Sequence, residues 1–226
     1  TFNEDDKEIS LRYDLSNPLA RFYAQNYLEL PNPYKRYQVG DVFRREKPGN
    51  GRFKSFGQCD ADIIGKFNSA QANSELCNLI ASTLIKCGLK KDQFVVNISN
   101  RKIVQGLMDQ LKITDEKQKQ KVLRAIDKLD KPGFGISGVQ QLLTEKRNDD
   151  SGAITIGAKL SVDQASEIIN FLEITDLEKL KSNFKNSELI QEGIREIEEL
   201  LKIISYGDYL DSIKAPNFEH FEFYRV

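Results

Sequence analysis

The sequence predicts an α+β fold, with antiparallel strands and helices in its first hundred residues and helices through most of the remainder. Three observations predict it. Two strand-like runs, 36–44 and 56–64, flank a Pro/Gly turn from Lys47 to Gly51 and read as an antiparallel pair. From about Arg101 the apolar residues instead recur every three or four positions, the period of an amphipathic helix. After Tyr206-Gly207-Asp208 the chain returns to aromatic, strand-like sequence. The expected domains are a core at 1–100, a helical subdomain at 101–205, and a return to the core at 206–226.

The elements follow in order. Ile9, Leu11, Tyr13 and Leu15 alternate with Ser10, Arg12, Asp14 and Ser16, the pattern of a half-buried strand with Arg12, Asp14 and Ser16 on one face. Asn17 offers an N-cap and Pro18 a first helical residue for a helix through Tyr27, with Leu19, Phe22 and Tyr23 as its apolar side. Pro31 and Pro33 end it. On the strand at 56–64, Phe56, Gln58, Asp60 and Asp62 share one face, while Cys59, Ala61 and Ile63 form an apolar face expected to meet the core. Arg44 and Glu46 likewise point together.

A helix at 69–86 is predicted from Ala72, Leu76, Leu79, Ile80 and Thr83, with Gly88 as its stop. A short buried strand follows at 94–98. Further helical patterns run through Ile103, Val104, Leu107, Met108 and Leu111; through Val122, Leu123, Ile126 and Leu129; and through Ala165, Ile168, Ile169 and Leu172. The last helix has Ile190, Ile194, Ile197, Leu201 and Ile204 as a narrow seam, with Glu188, Glu192, Glu196 and Glu199 outside. A seam of barely two heptads reads as internal packing rather than a dimer zipper. Segments 131–135 and 147–152 read as loops from their Gly, Pro and Asp content.

Composition excludes little but is consistent with this. The 226 residues are 39% hydrophobic with a net charge of -1, enough to bury a core without demanding a nucleic-acid or membrane partner. No apolar run approaches the roughly 20 residues that span a bilayer, and no signal-type segment opens the chain, so a cytoplasmic protein is expected. Cys59, Cys77 and Cys87 are odd in number and lack metal-ligand spacing; Cys59 and Cys77 lie among apolar positions and are expected to be buried free thiols. Thr1 leads directly into a charged, strand-like run and Val226 stops within another, so a piece of a longer protein is expected.

Three polar rows then stand out: Arg12, Asp14 and Ser16; Arg44 and Glu46; Gln58, Asp60 and Asp62. On neighbouring strands they would form the floor of a pocket for a charged, zwitterionic or phosphorylated ligand. The alternative is a solvated sheet face, whose ion pairs stabilise by only about 0–1 kcal/mol. Arg44 has the planar fork suited to phosphate, Arg52 at the turn can reach the far end of a polyphosphate, and Phe56 offers a flat face to a base. Asp14 and Asp62, with Gln58 and Ser16, suit an ammonium group or an imidazole N–H. His220 is the one histidine, which excludes Ser-His-Asp and His-rich metal constellations. No P-loop and no Gly-x-Gly-x-x-Gly occurs, so a nucleotide would have to lie on a sheet.

Laid out this way, the segment resembles the second signature motif of class II aminoacyl-tRNA synthetases. Arg44-Arg45-Glu46 and Arg52-Phe53-Lys54-Ser55-Phe56 fit its Arg-x-Glu strand, loop and Arg-x-x-x-Phe return. Leu11-Arg12-Tyr13-Asp14-Leu15-Ser16, Pro18-Leu19-Ala20-Arg21, Gly51-Arg52-Phe53 and the run from Gln58-Cys59-Asp60 to Gly65 are similar to the histidyl-tRNA synthetase family. The run from Arg124 to Lys131 resembles the helical insertion of one branch of it.

The resemblance implies a class II antiparallel sheet flanked by helices, with ATP and histidine as substrates and Mg2+ accompanying the ATP. It implies that Arg44 holds the α-phosphate as the catalytic residue, Glu46 the adenine amino group and Arg52 the γ-phosphate, while Phe56 stacks on adenine. The histidine site would comprise Asp14, Leu15, Ser16, Arg44, Gln58 and Asp62, with Asp14 facing the imidazole and Ser16, Gln58 and Asp62 the α-ammonium group. No metal site within the protein is implied. Further implied are a homodimer, and tRNA(His) as a partner whose acceptor end the helical insertion approaches, with Lys112, Lys117, Lys119, Lys121, Arg124, Lys128 and Lys131 as its basic cluster.

Two positions depart from the family pattern. Ser16 replaces the usual Thr, and Gly57, replacing a bulky residue, is expected to remove bulk beside the pocket. The first and third motifs, the second histidine signature and the anticodon-binding domain are not in the sequence, so little aminoacylation is expected from this chain alone. A non-catalytic histidine-sensing or tRNA-sensing paralogue and a plain interaction module are the competing readings.

Overall fold

The computed structural model describes residues 2–45, 49–129, 131, 133–148, 154–174, 176–204 and 213–214. It divides into two compact units, Thr1–Ala72 and Asn73–Val226.

The first unit opens with a hairpin of β1 (Phe2–Glu4) and β2 (Lys7–Ile9), in register from Phe2 opposite Ile9 to Glu4 opposite Lys7. Asp5 and Asp6 form the two-residue turn, and both have the positive φ, 49° and 61°, that a type I′ turn requires. The strand expected at 9–16 ends at Ile9. Leu11 and Tyr13 are exposed and only Leu15 is fully buried, so the alternation does not mark a ladder with one face in the core. This segment instead crosses the sheet, where the Phe43 amide donates to the Arg12 carbonyl at 2.9 Å.

Helix α1 (Ser16–Asn26) starts earlier than expected, with Leu15 at the N-cap and no side-chain cap. Asp14, not Asn17, supplies the first-turn acceptor: its Oδ1 receives the Asn17 amide at 2.9 Å. Phe22 and Tyr23 meet the Tyr34 ring at 6.3 and 6.1 Å, seating the helix on the start of the next strand. That strand, β3 (Tyr34–Phe43), pairs antiparallel with β4 (Ser55–Ile64), in register from Tyr34 opposite Ile64 to Phe43 opposite Ser55. The Arg44 amide extends the ladder to the Lys54 carbonyl at 2.8 Å. At the far end of β4, a Cβ on Gly65 would collide with Asn32 Oδ1, which accepts the Lys66 amide at 2.7 Å; the φ of +132° there suits glycine alone.

The two faces of the hairpin differ from expectation. The face with Arg36, Gln38, Gly40 and Val42 is the more buried one, and the face with Tyr37 (80% exposed), Val39 and Cys59 is open. Cys59 is therefore an exposed free thiol, whereas Cys77 is buried as expected and Cys87 is exposed. The reason is that residues 12–15 cross over the polar face. The Arg12 guanidinium lies so close to Gly40 that a Cβ there would stand 2.7 Å from Nη2.

Helix α2 (Ser69–Lys86) has the expected bounds and runs across the unit boundary, but its buried positions are Ala70, Ala72, Ser74, Cys77 and Ala81, while Leu79 and Ile80 are exposed. In the second unit the strand expected at 94–98 shrinks to β5 (Val96–Asn97). Helices α3 (Arg101–Gln110) and α4 (Glu116–Ile126) follow, capped by the side chains of Asn100 and Asp115. The unexpected α5 (Gly135–Thr144) is followed by an antiparallel pair of β6 (Lys146–Asn148) and β7 (Ile154–Ile156); of the loop expected at 147–152, residues 147 and 148 belong to β6 and 149–152 lie outside the described residues.

Helix α6 (Val162–Leu172) begins with a capping box between Ser161 and Gln164. The short α7 (Leu177–Asn183) is an addition to the expected elements, and α8 (Glu188–Ile204) is the last expected helix. β8 (Ile213–Lys214) pairs parallel with β5; His220 and the run 221–226 lie outside the described residues. Ile103, Leu107, Ile126, Leu143, Ile168, Phe171, Ile190, Ile194 and Ile197 belong to one continuous core, so the seam on α8 is internal packing, with Leu200 more deeply buried than Leu201. Among the described residues, no helix is long and apolar enough to cross a membrane.

Candidate functional site

The β3–β4 register builds the site. Side chains two apart share a face, so Arg36, Gln38 and Gly40 stand opposite Asp62, Asp60 and Gln58, with Val42 opposite Phe56 next to them. Arg44 lies just beyond β3, and the chain from Arg12 to Ser16 passes above. Phe56, Gln58, Asp60 and Asp62 thus form one row, as the alternation predicted. Gly57 falls on the other face, opposite Asp41, so its missing side chain removes bulk from the outer face and not beside the row.

Arg44 is held as a flat cation between two rings. Its guanidinium carbon lies 4.6 Å from the Tyr13 ring centre and 5.2 Å from that of Phe56, and its Nε donates to the Tyr13 carbonyl at 3.4 Å. Arg52 sits at the hairpin tip, where its backbone closes on Gly49 through bonds of 3.0 and 3.2 Å; its exposed side chain has no partner among the described residues. Glu46 lies outside the described residues.

At the other end of the row are the carboxylates. Asp62 Oδ2 stands 2.9 Å from Arg36 Nη2. The contact is electrostatic rather than a well-aligned hydrogen bond, since this buried oxygen finds no aligned donor among the described residues. Arg36 Nη2 also donates to the Leu15 carbonyl at 3.2 Å, and Nη1 donates to Gln38 Oε1. Gln58 Oε1 is buried without a donor among the described residues. Burial, Asp62 and Asp14 together push the Asp60 carboxyl above its ordinary range, with Arg36 and Arg44 opposing them. Asp14 is partly buried and spends Oδ1 on the Asn17 amide; Leu15 is fully buried, and Ser16 is exposed at the start of α1.

Sequence reasoning places Asp60 in a polar row without giving it a role, and passes over Arg36 and Gln38, which the register brings into the same face. The signal is present: counting back by twos from Arg44 puts Gly40, Gln38 and Arg36 on its face.

A row of cations, acceptors and an aromatic ring on an antiparallel hairpin, within an α+β chain, agrees with the aminoacyl-tRNA synthetases, and the likeness to known proteins shows that class. The family model described as histidyl-tRNA synthetase matches residues 2–215. A histidine–tRNA ligase of Pelagibacter ubique (strain HTCC1062) is 70% identical over 215 residues, which are 95% of this chain and 46% of that protein. That of Bartonella bacilliformis is 41% identical over 94% of this chain and 44% of its own length. The crystal structure of histidyl-tRNA synthetase from Nostoc sp. PCC 7120 superposes with a TM-score of 0.71 at 25% identity, over 92% of this chain and 45% of that one. The chain belongs to the histidyl-tRNA synthetase family. It spans about half the length of the curated relatives it matches.

Proposed function

We propose that the complete protein joins histidine to tRNA(His) through histidyl-adenylate, and that this chain supplies part of the catalytic region. The observation that carries the reading is the single row on the β3–β4 hairpin: a guanidinium clamped between Tyr13 and Phe56 at one end, and buried acceptors at the other.

ATP enters with its α-phosphate at Arg44 and its adenine on Phe56; Arg52 takes the γ-phosphate and Glu46 the adenine amino group. Histidine enters at Asp14, Leu15, Ser16, Arg44, Gln58 and Asp62. A carboxylate oxygen of histidine attacks the α-phosphorus, the bond to the bridging oxygen breaks, and pyrophosphate leaves. Charge accumulates on the α-phosphate oxygens, and a guanidinium fixed in place stabilises it without reorganising. The remaining requirement is alignment, which needs no side-chain nucleophile. A ribose hydroxyl at the tRNA 3′ end then displaces AMP. Mg2+ accompanying the ATP would offset negative charge on its phosphates.

Residues 101–205 form the insertion that approaches the acceptor stem. Of its basic cluster, Lys119 is bound to Asp109 at 2.9 Å, Lys121 to the Gly157 carbonyl at 3.2 Å, and Lys128 lies over the Phe134 ring at 5.2 Å, while Lys112, Lys117, Arg124 and Lys131 are the candidates for RNA contact. The complete enzyme works in the cytoplasm as a homodimer.

Among solved structures that resemble the chain is one described as an ATP phosphoribosyltransferase regulatory subunit/histidyl-tRNA synthetase from Bacillus halodurans C, with a TM-score of 0.69 at 19% identity. That likeness concerns fold alone. Histidine-dependent exchange of pyrophosphate into ATP by the complete protein tests the proposal. Exchange is expected, with little or none from this chain alone. A complete protein that binds histidine without making adenylate would support the regulator, and one that binds neither substrate would support an interaction module.

A further inference from the structure

Arg36 joins more of the site than its neighbours do, yet it is turned away from solvent, with only 11% of its side chain exposed. Its Nη2 stands between Asp62 Oδ2 and the Leu15 carbonyl, and its Nη1 is taken by Gln38. Both Nη atoms are thereby engaged within the protein. Its Nε is buried with no acceptor among the described residues, so it is closed to solvent.

What Arg36 joins is more telling than how tightly it is held. Leu15 lies between Asp14 and Ser16 at the start of α1, and Asp62 lies on β4 two positions from Asp60 and four from Gln58. These two pieces of chain are far apart in sequence, and Arg36 on β3 touches both. Without it, Asp14, Asp60 and Asp62 would crowd negative charge with one fewer cation to oppose them. A lysine could not replace it, because one ammonium point charge cannot present a planar fork to partners in different directions.

We propose that Arg36 is a positioning residue for the amino-acid half of the site: it fixes Asp62 and the 14–16 segment in one geometry, without touching the substrate. The proposal rests on the reading that this half binds histidine. Residues that orient a binding group lower affinity for that ligand when removed, and they leave ligands bound elsewhere in the site unaffected.

The test measures pyrophosphate exchange and calorimetric histidine binding with the complete protein, in wild type, Arg36→Met, Arg36→Lys, Asp62→Asn and the Arg36→Met/Asp62→Asn double variant. Arg36→Met is expected to raise the KM for histidine about tenfold or more, the scale of one hydrogen-bonded charge contact, with the KM for ATP unchanged. Arg36→Lys should fall between wild type and Arg36→Met, and it carries the test if Arg36→Met does not fold. In the Asp62→Asn background, Arg36→Met should cost less than it does in wild type, because one of the two groups it orients is already impaired and only its hold on the 14–16 segment is left to lose. KM values for histidine and ATP that rise together, or effects of Arg36→Met and Asp62→Asn that simply add, would overturn the proposal. A wild-type protein that fails to bind histidine would overturn the underlying reading and the proposal with it. Histidine binding as tight in the Arg36→Met variant as in wild type would overturn the proposal alone.

Discussion

Ile103 on α3 occupies the space that a side chain at Gly193 on α8 would need: a Cβ there would stand 2.7 Å from Ile103 Cγ1. The arrangement is reciprocal, since a Cβ on Gly106 of α3 would stand 2.6 Å from Ile190 Cγ1 of α8. Each helix gives up a side chain to receive an isoleucine of the other. In an exposed helix interior, alanine in place of glycine would stabilise by about 1 kcal/mol. Here overpacking opposes it by about 1–3 kcal/mol, because Ile103 is fully buried and Asn100, which caps α3, is also within 3.3 Å. Gly193→Ala is therefore expected to lower the unfolding free energy by about 1 kcal/mol. Urea denaturation measures it, and a stabilised variant would contradict the packing described.

A second prediction concerns pH. Burial and the neighbouring carboxylates of Asp62 and Asp14 hold the Asp60 pKa above its ordinary value, against the guanidinium groups of Arg36 and Arg44. The folded state then binds this proton more tightly than the unfolded state does. Its contribution to stability is greatest at low pH and is lost as pH rises from the ordinary aspartate range through the raised folded value. Asp60→Asn should therefore melt higher than wild type near neutral pH. The difference should close as pH falls below the ordinary aspartate range, which thermal melts across pH would show.

Arg44 provides a third. Clamped between Tyr13 and Phe56, it presents a flat fork that an ammonium cannot imitate. Arg44→Ala in the complete protein is expected to slow histidine-dependent pyrophosphate exchange by about 10²–10³-fold, as for other fixed donors to a developing negative charge. Arg44→Lys should recover little of it. Full recovery with lysine would show that net charge alone suffices.

The cations of the helical unit give a fourth. Simultaneous Lys112→Glu, Lys117→Glu and Arg124→Glu should weaken tRNA(His) binding and flatten its salt dependence, by about one unit of slope for each phosphate no longer neutralised. Lys119→Glu, by contrast, should chiefly affect stability, because its ammonium is engaged by Asp109 and Glu116. Unchanged affinity and slope in the triple variant would remove these residues from the RNA interface.

Much of the architecture is legible where a repeating pattern runs long enough. The ten-residue strands β3 and β4 keep their alternation throughout and α2 its helical period, so each lies close to its expected bounds, and α3, α6 and α8 form where their apolar residues recur at helical spacing. Short patterns mislead. Alternation at 9–15 suggests a strand where only Leu15 is buried to completion, and Gly135 and Gly138 hide α5. Glycine weakens a helical pattern, yet Gly138 lies directly against the Arg147 guanidinium, which a side chain there would displace.

Alternation in β4 is local, since a pleated strand sends every second side chain to the same face whatever surrounds it. The grouping of Phe56, Gln58, Asp60 and Asp62 was therefore already settled by residue order. Which face would be covered was not. That depends on residues 12–15 folding back over Gly40 and Arg36, an approach of segments far apart in the chain, and it partly covered the polar row while leaving Tyr37, Val39 and Cys59 open. The same crossing gave Arg36 its partners. No periodicity encodes a hydrogen bond to the carbonyl of Leu15, because a backbone carbonyl looks the same in every residue until folding aims one of them at a guanidinium.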